Sequence, residues 1–168
     1  MATRRVLIVD DEAEVRSALT EILRAMRGTD PLEIEGAADG QAGLDAVVRN
    51  RPDLILLDLQ MPHVGGLALL KQIHQADRRL PIIVITATQD TRMAAEALGN
   101  DAVAYLPKPF DPPHVEMLVA TQAGAHEAAG HASLSERSRH ARSARITQPT
   151  SVMSAHQRPR DDQDGIPA

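Results

Sequence analysis

The sequence predicts a doubly wound α/β fold, a five-stranded parallel sheet with five helices covering its two faces. Three observations carry that expectation. Short runs of Val, Ile and Leu recur at regular intervals between residues 6 and 106. Between them the apolar residues switch to helical spacing. The runs are continuous rather than alternating, as in strands buried on both faces, which is the usual condition of a parallel sheet.

Val6-Leu7-Ile8-Val9 is the first run. Val15, Leu19, Ile22, Leu23 and Met26 then recur at helical spacing and end at Gly28, a helix and its stop. Leu32-Glu33-Ile34 alternates weakly and suits a strand near the sheet edge. Ala42, Leu44, Val47 and Val48 predict a second helix closed by Pro52. Leu54-Ile55-Leu56-Leu57 is another doubly buried strand, followed by a third helix carrying Leu67, Leu69, Leu70 and Ile73. Ile82-Ile83-Val84-Ile85 is rich in β-branched residues and predicts the fourth strand. Asp90 to Leu98 is Ala-rich and helical, and Ala102 to Leu106 is the fifth strand. Asp111 suits an N-cap with Pro112 in the first helical position, and Val115, Leu118 and Val119 form the inward stripe of the last helix. Right-handed crossovers leave few topologies, and the flavodoxin-like order 2-1-3-4-5 is the common one for five strands. It places the three most hydrophobic strands in the middle.

Composition bounds the rest. The 168 residues contain no cysteine, which excludes disulfides, thiolate metal sites and Cys nucleophiles. There is no Trp, one Tyr and one Phe, so the core must be aliphatic, and Tyr105 and Phe110 fall in one short segment. To residue 122 there are 12 Lys+Arg against 18 Asp+Glu, a balance of −6 that argues against a nucleic-acid surface there. No apolar run approaches a membrane span, and Asp10-Asp11 interrupts any signal-peptide reading of the start, so the expected location is cytoplasmic. After about residue 124 the periodicity ends in Ala, Gly, Ser, His, Arg, Gln and Pro, a composition that cannot bury enough apolar area to fold. Residues 1–124 are therefore expected to form one domain, and 125–168 a disordered tail with no folded output domain.

In such a sheet, ligands bind beyond the carboxyl ends of the strands, where the strand order reverses. The first strand ends in Asp10-Asp11, followed by Glu12, and the third in Asp58. Thr86 ends the fourth, and Lys108-Pro109 follows the fifth. Converging carboxylates repel, and without Cys or a nearby His pattern the cation that suits them is Mg²⁺ rather than zinc. An Asp, a cation site, a hydroxyl and an ammonium facing one point form a phosphoryl-transfer constellation.

Four segments then bring a family into view: Val6-Leu-Ile-Val-Asp-Asp-Glu12, Pro52-Asp-Leu-Ile-Leu-Leu-Asp-Leu-Gln-Met-Pro62 with Gly66, Ile82-Ile-Val-Ile-Thr-Ala87, and Tyr105-Leu-Pro-Lys-Pro-Phe110. In this order and spacing, over residues 4 to about 122, the chain resembles the receiver (CheY-like) domain of bacterial two-component response regulators. The resemblance implies that Asp58 accepts a phosphoryl group from a phosphohistidine on a sensor histidine kinase or a histidine phosphotransfer protein. It implies that Asp11, Asp58 and the Gln60 backbone carbonyl coordinate Mg²⁺, with Asp10 helping, and that Thr86 and Lys108 bind the acyl phosphate oxygens. Thr86 and Tyr105 would be the switch residues, and the Lys108–Pro109 peptide would be cis. Catalysis would be limited to the domain's own phosphorylation and dephosphorylation. The output would be a contact with a downstream protein or a second copy, through the fourth helix, fifth strand and fifth helix. One departure is Gly65, where the family commonly has an acidic residue.

Each residue also has a plainer reading. Asp10, Asp11 and Glu12 could simply complement a helix dipole, Thr86 could be an ordinary strand residue and Lys108 a solvated loop lysine. Their joint placement argues otherwise. His63, His74 and His114 read as solvated surface residues. The cluster Arg137, Arg139, His140, Arg142 and Arg145 lacks aromatics and helical patterning and reads as linker. Two alternatives remain: a transcriptional regulator using the basic tail for DNA contact, and an aspartyl-phosphate phosphatase of the haloacid dehalogenase type. The phosphatase family wants a second Asp where Gln60 stands.

Overall fold

The computed structural model describes residues 3–26, 31–87 and 89–122. In chain order the elements are β1 (Arg4–Val9), α1 (Ala13–Ala25), β2 (Leu32–Ala37), α2 (Gly40–Arg49), β3 (Leu54–Asp58), α3 (Gly66–Ala76), β4 (Ile82–Ala87), α4 (Thr91–Gly99) and β5 (Ala104–Lys108). A fifth helix, α5, begins at 112 and continues to 122. The sheet order is β2-β1-β3-β4-β5 and every pairing is parallel. This is the predicted doubly wound topology. Gly28, expected as a helix stop, and the tail from 125 onward lie outside the described residues.

The two sides of the sheet separate cleanly by residue parity. Leu7, Val9, Ile55, Leu57, Ile82 and Val84 point to one side, where Ala46 of α2, Leu69, Leu70 and Ile73 of α3 and Ala97 of α4 cover them. Val6, Ile8, Leu54, Leu56, Ile83 and Ile85 point to the other, against Leu19 and Leu23 of α1 and Val115 and Val119 of α5. Alternate residues serving opposite cores explain why these strands read as continuous apolar runs. The core is aliphatic throughout. Phe110 packs at the margin of the second cluster, and Tyr105 is 46% exposed.

Three details depart from the sequence reading. In α2 the buried face is made by Gly40, Gly43 and Ala46, while Val48 is exposed. The helix lies so close to β1 that a Cβ at Gly43 would meet Val9 at 3.0 Å, so glycines share the inward face with the expected Ala42, Leu44 and Val47, which pack partly buried against the core. β5 starts two residues later than expected. The Ala102 amide bonds Ala97 O at 3.1 Å and so finishes α4, and the sheet ladder is entered by Val103, which donates to Ile82 O at 2.9 Å. His74 is not a solvated surface residue. It is 6% exposed, with Nδ1 3.0 Å from Asn100 O and Nε2 3.0 Å from Leu80 O. The imidazole thus ties the last turn of α3 to the segment before β4 and to the end of α4. Among the described residues, no helix is long and apolar enough to cross a membrane.

Candidate functional site

Register alone brings the carboxylates together. Val9 of β1 pairs with Leu57 of β3, so the next residue on each strand, Asp10 and Asp58, emerges side by side at the carboxyl edge. Asp10 is fully buried, Asp58 is 2% exposed and Asp11 faces solvent. One oxygen from each of the three lies within 4.8 Å of the others. Asp10 and Asp58 are each held by the same local device. Asp10 Oδ1 accepts from the Glu12 amide at 2.9 Å, and Asp58 Oδ1 accepts from the Gln60 amide at 3.0 Å. Side chains bonding the backbone two residues on are characteristic of Asp in turns.

Lys108, the last residue of β5, reaches this cluster from two strands away. Its ammonium lies 3.0 Å from Asp10 Oδ2, 3.0 Å from Glu12 Oε1 and 3.5 Å from Asp58 Oδ2. The contact with Glu12 is a hydrogen bond, whereas that with Asp10 Oδ2 is an ion pair without hydrogen-bond geometry. Burial works against the ammonium, yet the surrounding carboxylates outweigh it and hold the Lys108 pKa above its ordinary value. At Asp58 it is the charged form that is disfavoured. Burial lifts its pKa, with Asp10 and Asp11 adding to the rise and the Gln60 amide and Lys108 opposing it. Despite its lysine, the acceptor-type carboxylate is short of positive charge.

The remaining site residues sit at the same edge. Thr86 is 2% exposed in β4, and its hydroxyl has no hydrogen-bond partner among the described residues. An orphaned buried hydroxyl is costly, and here it stands where a ligand oxygen would satisfy it. Beside it, a cavity of about 310 Å³ lies between α4 and β5, lined by Thr86, Ala94, Leu98 and Tyr105. The Lys108–Pro109 peptide is cis. Gln60 follows Asp58 in the loop leading to α3, and its side chain donates to Asp90 Oδ2 at 2.8 Å. Gly66 closes that loop. Its amide bonds Leu59 O at 3.2 Å, and a Cβ there would fall 1.9 Å from Asp58 O. Gly66 thus lets the start of α3 pack directly on the backbone of Asp58.

Two features of the site are absent from the sequence reading. Glu12 is the N-cap residue of α1 but makes no capping bond, its side chain being turned toward Lys108. Arg16 Nη1 donates to the Asp10 carbonyl at 2.6 Å, bracing the end of β1 from the side of α1. The Glu12 contact does not follow from local spacing, since Glu12 and Lys108 are 96 residues apart.

The donor set suits a hard divalent cation. It consists of carboxylate oxygens only, two of the three groups are buried, and the nearby lysine leaves Asp58 undercompensated. Asp10, Asp11 and Asp58 could hold such an ion. A nucleophilic carboxylate beside a cation site, an unbonded hydroxyl and an ammonium can receive an electrophilic phosphoryl group.

Comparison with known proteins agrees. The family model of the response regulator receiver domain matches residues 6–120. The DNA-binding transcriptional regulator NtrC of Klebsiella pneumoniae is 43% identical over 104 residues, 62% of this chain and 21% of that protein. Response regulator MprA of Mycobacterium sp. (strain KMS) is 39% identical over 106 residues, 63% of this chain and 44% of that protein. The chain therefore spans less than half the length of these relatives. Among solved structures, the receiver domain of NtrX from Brucella abortus superposes with a TM-score of 0.65 at 28% identity, covering 70% of this chain and 96% of that one. The receiver domain of Francisella response regulator 1452 gives 0.64 at 26% identity, covering 73% and 98%. Residues 6–120, and with them the whole carboxylate edge, belong to the response regulator receiver domain family.

Proposed function

We propose that this chain is a phosphoacceptor switch in which Asp58 takes a phosphoryl group from a phosphohistidine. The observation that supports this most is the buried Asp58 carboxylate, set between two further aspartates and one lysine at the end of β3. An Asp58 oxygen attacks phosphorus. The P–O bond forms as the P–N bond to the donor imidazole breaks, and the departing nitrogen keeps the electron pair and takes a proton from solvent. Mg²⁺, held by Asp10, Asp11, Asp58 and the Gln60 carbonyl, would supply charge neutralisation at the phosphoryl oxygens. Lys108 then leaves its shared position to pair with a phosphoryl oxygen, and the Thr86 hydroxyl donates to another. Tyr105, exposed at the mouth of the adjacent cavity, would follow Thr86 inward and reshape the α4–β5–α5 face.

The donor would be a sensor histidine kinase or a histidine phosphotransfer protein, and the receiver of the signal a downstream protein or a second copy. The folded unit for this role would be residues 1–124. The name of the Klebsiella relative also raises a DNA-binding role. In this chain that role would fall to the basic cluster from Arg137 to Arg145, and salt-dependent retention of DNA by a peptide spanning it would be the test.

Incubation with phosphoramidate and Mg²⁺, followed by intact mass, tests the main reading. A gain of one phosphoryl group that disappears in Asp58→Asn supports it. No gain in the wild type refutes it.

A further inference from the structure

The acceptor carboxylate and helix α4 are joined by an unbroken line of hydrogen bonds through one residue. Asp58 Oδ1 accepts from the Gln60 backbone amide at 3.0 Å. The Gln60 side-chain amide donates to Asp90 Oδ2 at 2.8 Å. Asp90 is the N-cap of α4, and its other oxygen accepts from the Met93 amide at 3.3 Å. The two ends of Gln60 therefore touch the acceptor and the helix start, Gln60 and Asp90 lying 30 residues apart in sequence.

We propose that Gln60 is a positioning residue that pins the start of α4 to the acceptor loop before phosphorylation and releases it afterwards. This rests on Asp58 being the phosphoryl acceptor. It describes a route from the site to α4 separate from the one through Thr86 and Tyr105.

The release follows from the charge on Asp58. As a carboxylate, Asp58 shares its negative charge over both oxygens, and the Gln60 amide bonds a charged acceptor. Once either oxygen carries the phosphoryl group, that charge is gone from the other. Hydrogen bonds to charged acceptors are roughly twice as strong as neutral ones, so the first link of the line weakens. The phosphoryl group also brings nearly two negative charges to the same pocket. The loop that holds Gln60 must adjust, and a side-chain bond needing 2.8 Å geometry does not survive such an adjustment unaltered. Asp90 keeps its bond to Met93, so α4 stays capped while losing its tether.

Amide hydrogen exchange of residues 91–99 in the full chain tests this. Q60E keeps the shape of the side chain but sets a carboxylate against Asp90. Exchange of the α4 amides should rise about fivefold, the loss of one modest hydrogen bond. In the double variant Q60E/D90N the amide and the carboxylate change places, so the bond can form in the opposite sense. Asn also caps helices well. Protection should return to the wild-type level, which a merely structural loss at Gln60 would not produce. Phosphorylation of the wild type by phosphoramidate and Mg²⁺ should raise α4 exchange at least as much as Q60E does. The rise on phosphorylating Q60E itself should be smaller than in the wild type, leaving only the part carried through Thr86 and Tyr105. Unchanged exchange in Q60E, an equal rise across all helices, or no recovery in the double variant would overturn the inference. So would a wild type phosphorylated at Asp58 with α4 protection unchanged, and that result would leave the acceptor reading standing. A wild type that takes no phosphoryl group would instead refute the acceptor reading.

Discussion

Replacing Gly66 by alanine would place a methyl carbon 1.9 Å from the Asp58 carbonyl oxygen and 2.6 Å from Leu59 Cα, far inside the 3.4 Å at which ordinary contact begins. Both obstacles are backbone atoms, of the acceptor at the end of β3 and of the residue after it, so no flexible side chain can yield. Either α3 slides away from β3 or the end of β3 moves. Overpacking of this severity costs about 3 kcal/mol, the upper part of the usual range. For a domain of this size that lowers the melting temperature by about 10 °C. The neighbouring Gly65 provides the control. It precedes α3 with φ −61 and ψ 142, has nothing within 4 Å of a built Cβ, and needs no glycine on either ground. Gly65→Ala should change stability by less than about 0.5 kcal/mol. Thermal and urea unfolding followed by far-UV circular dichroism would measure both. Gly66→Ala should also slow Asp58 phosphorylation, because the displaced backbone belongs to the acceptor. A Gly66→Ala protein as stable as Gly65→Ala would show that the close packing of α3 on Asp58 is wrong.

Four further outcomes follow from the same structure. His74→Leu should cost about 2 kcal/mol in urea unfolding, because the buried Leu80 carbonyl and the part-buried Asn100 carbonyl lose the imidazole; an unchanged midpoint would refute the staple. Asp58 has a folded pKa raised chiefly by burial, so its ionised form opposes folding above that pKa and the penalty is relieved as pH falls through it. Without divalent ions, Asp58→Asn should therefore be more stable than the wild type at pH 7, with the gap closing as pH drops toward 3.8, the ordinary value. Equal stability at pH 7 would contradict this. Phe110→Ala should lower stability by about 1–2 kcal/mol, as a half-buried side chain at the core margin. Tyr105→Ala, at an exposed position, should leave both stability and phosphorylation nearly unchanged and blunt the response of the α4–β5–α5 face, seen by hydrogen exchange.

Much of this architecture was legible because the central strands state it directly. Val6–Val9, Leu54–Leu57 and Ile82–Ile85 are buried on both sides, so every residue must be apolar. The edges were harder. β2 carries Glu33 and Glu35, whose exposed side chains pair with Arg5 and Arg49, and its burial is too partial for a clear pattern. In α2 the expected Ala42, Leu44 and Val47 do pack against the core, but the closest approach to β1 is made by glycine and alanine, which a count of large apolar residues does not register. His74 is buried by carbonyls 6 and 26 residues away, which no local window contains. The same holds at the site. That Asp10, Asp11, Asp58, Thr86 and Lys108 fall at strand ends could be read from the chain, since topology brings strand ends to one edge. That Glu12 shares Lys108, or that Gln60 bonds Asp90, depends on side-chain directions across loops.

The most direct test of the central claim is chemical location of the phosphoryl group. After phosphoramidate and Mg²⁺, borohydride reduces an aspartyl phosphate to homoserine, and peptide mass mapping reports where. The account predicts homoserine at position 58 alone, because Asp58 combines burial with an oxygen facing the cation site and Lys108. Homoserine at Asp10 or Asp11, or a phosphoryl group that resists borohydride because it sits on a histidine, would contradict it.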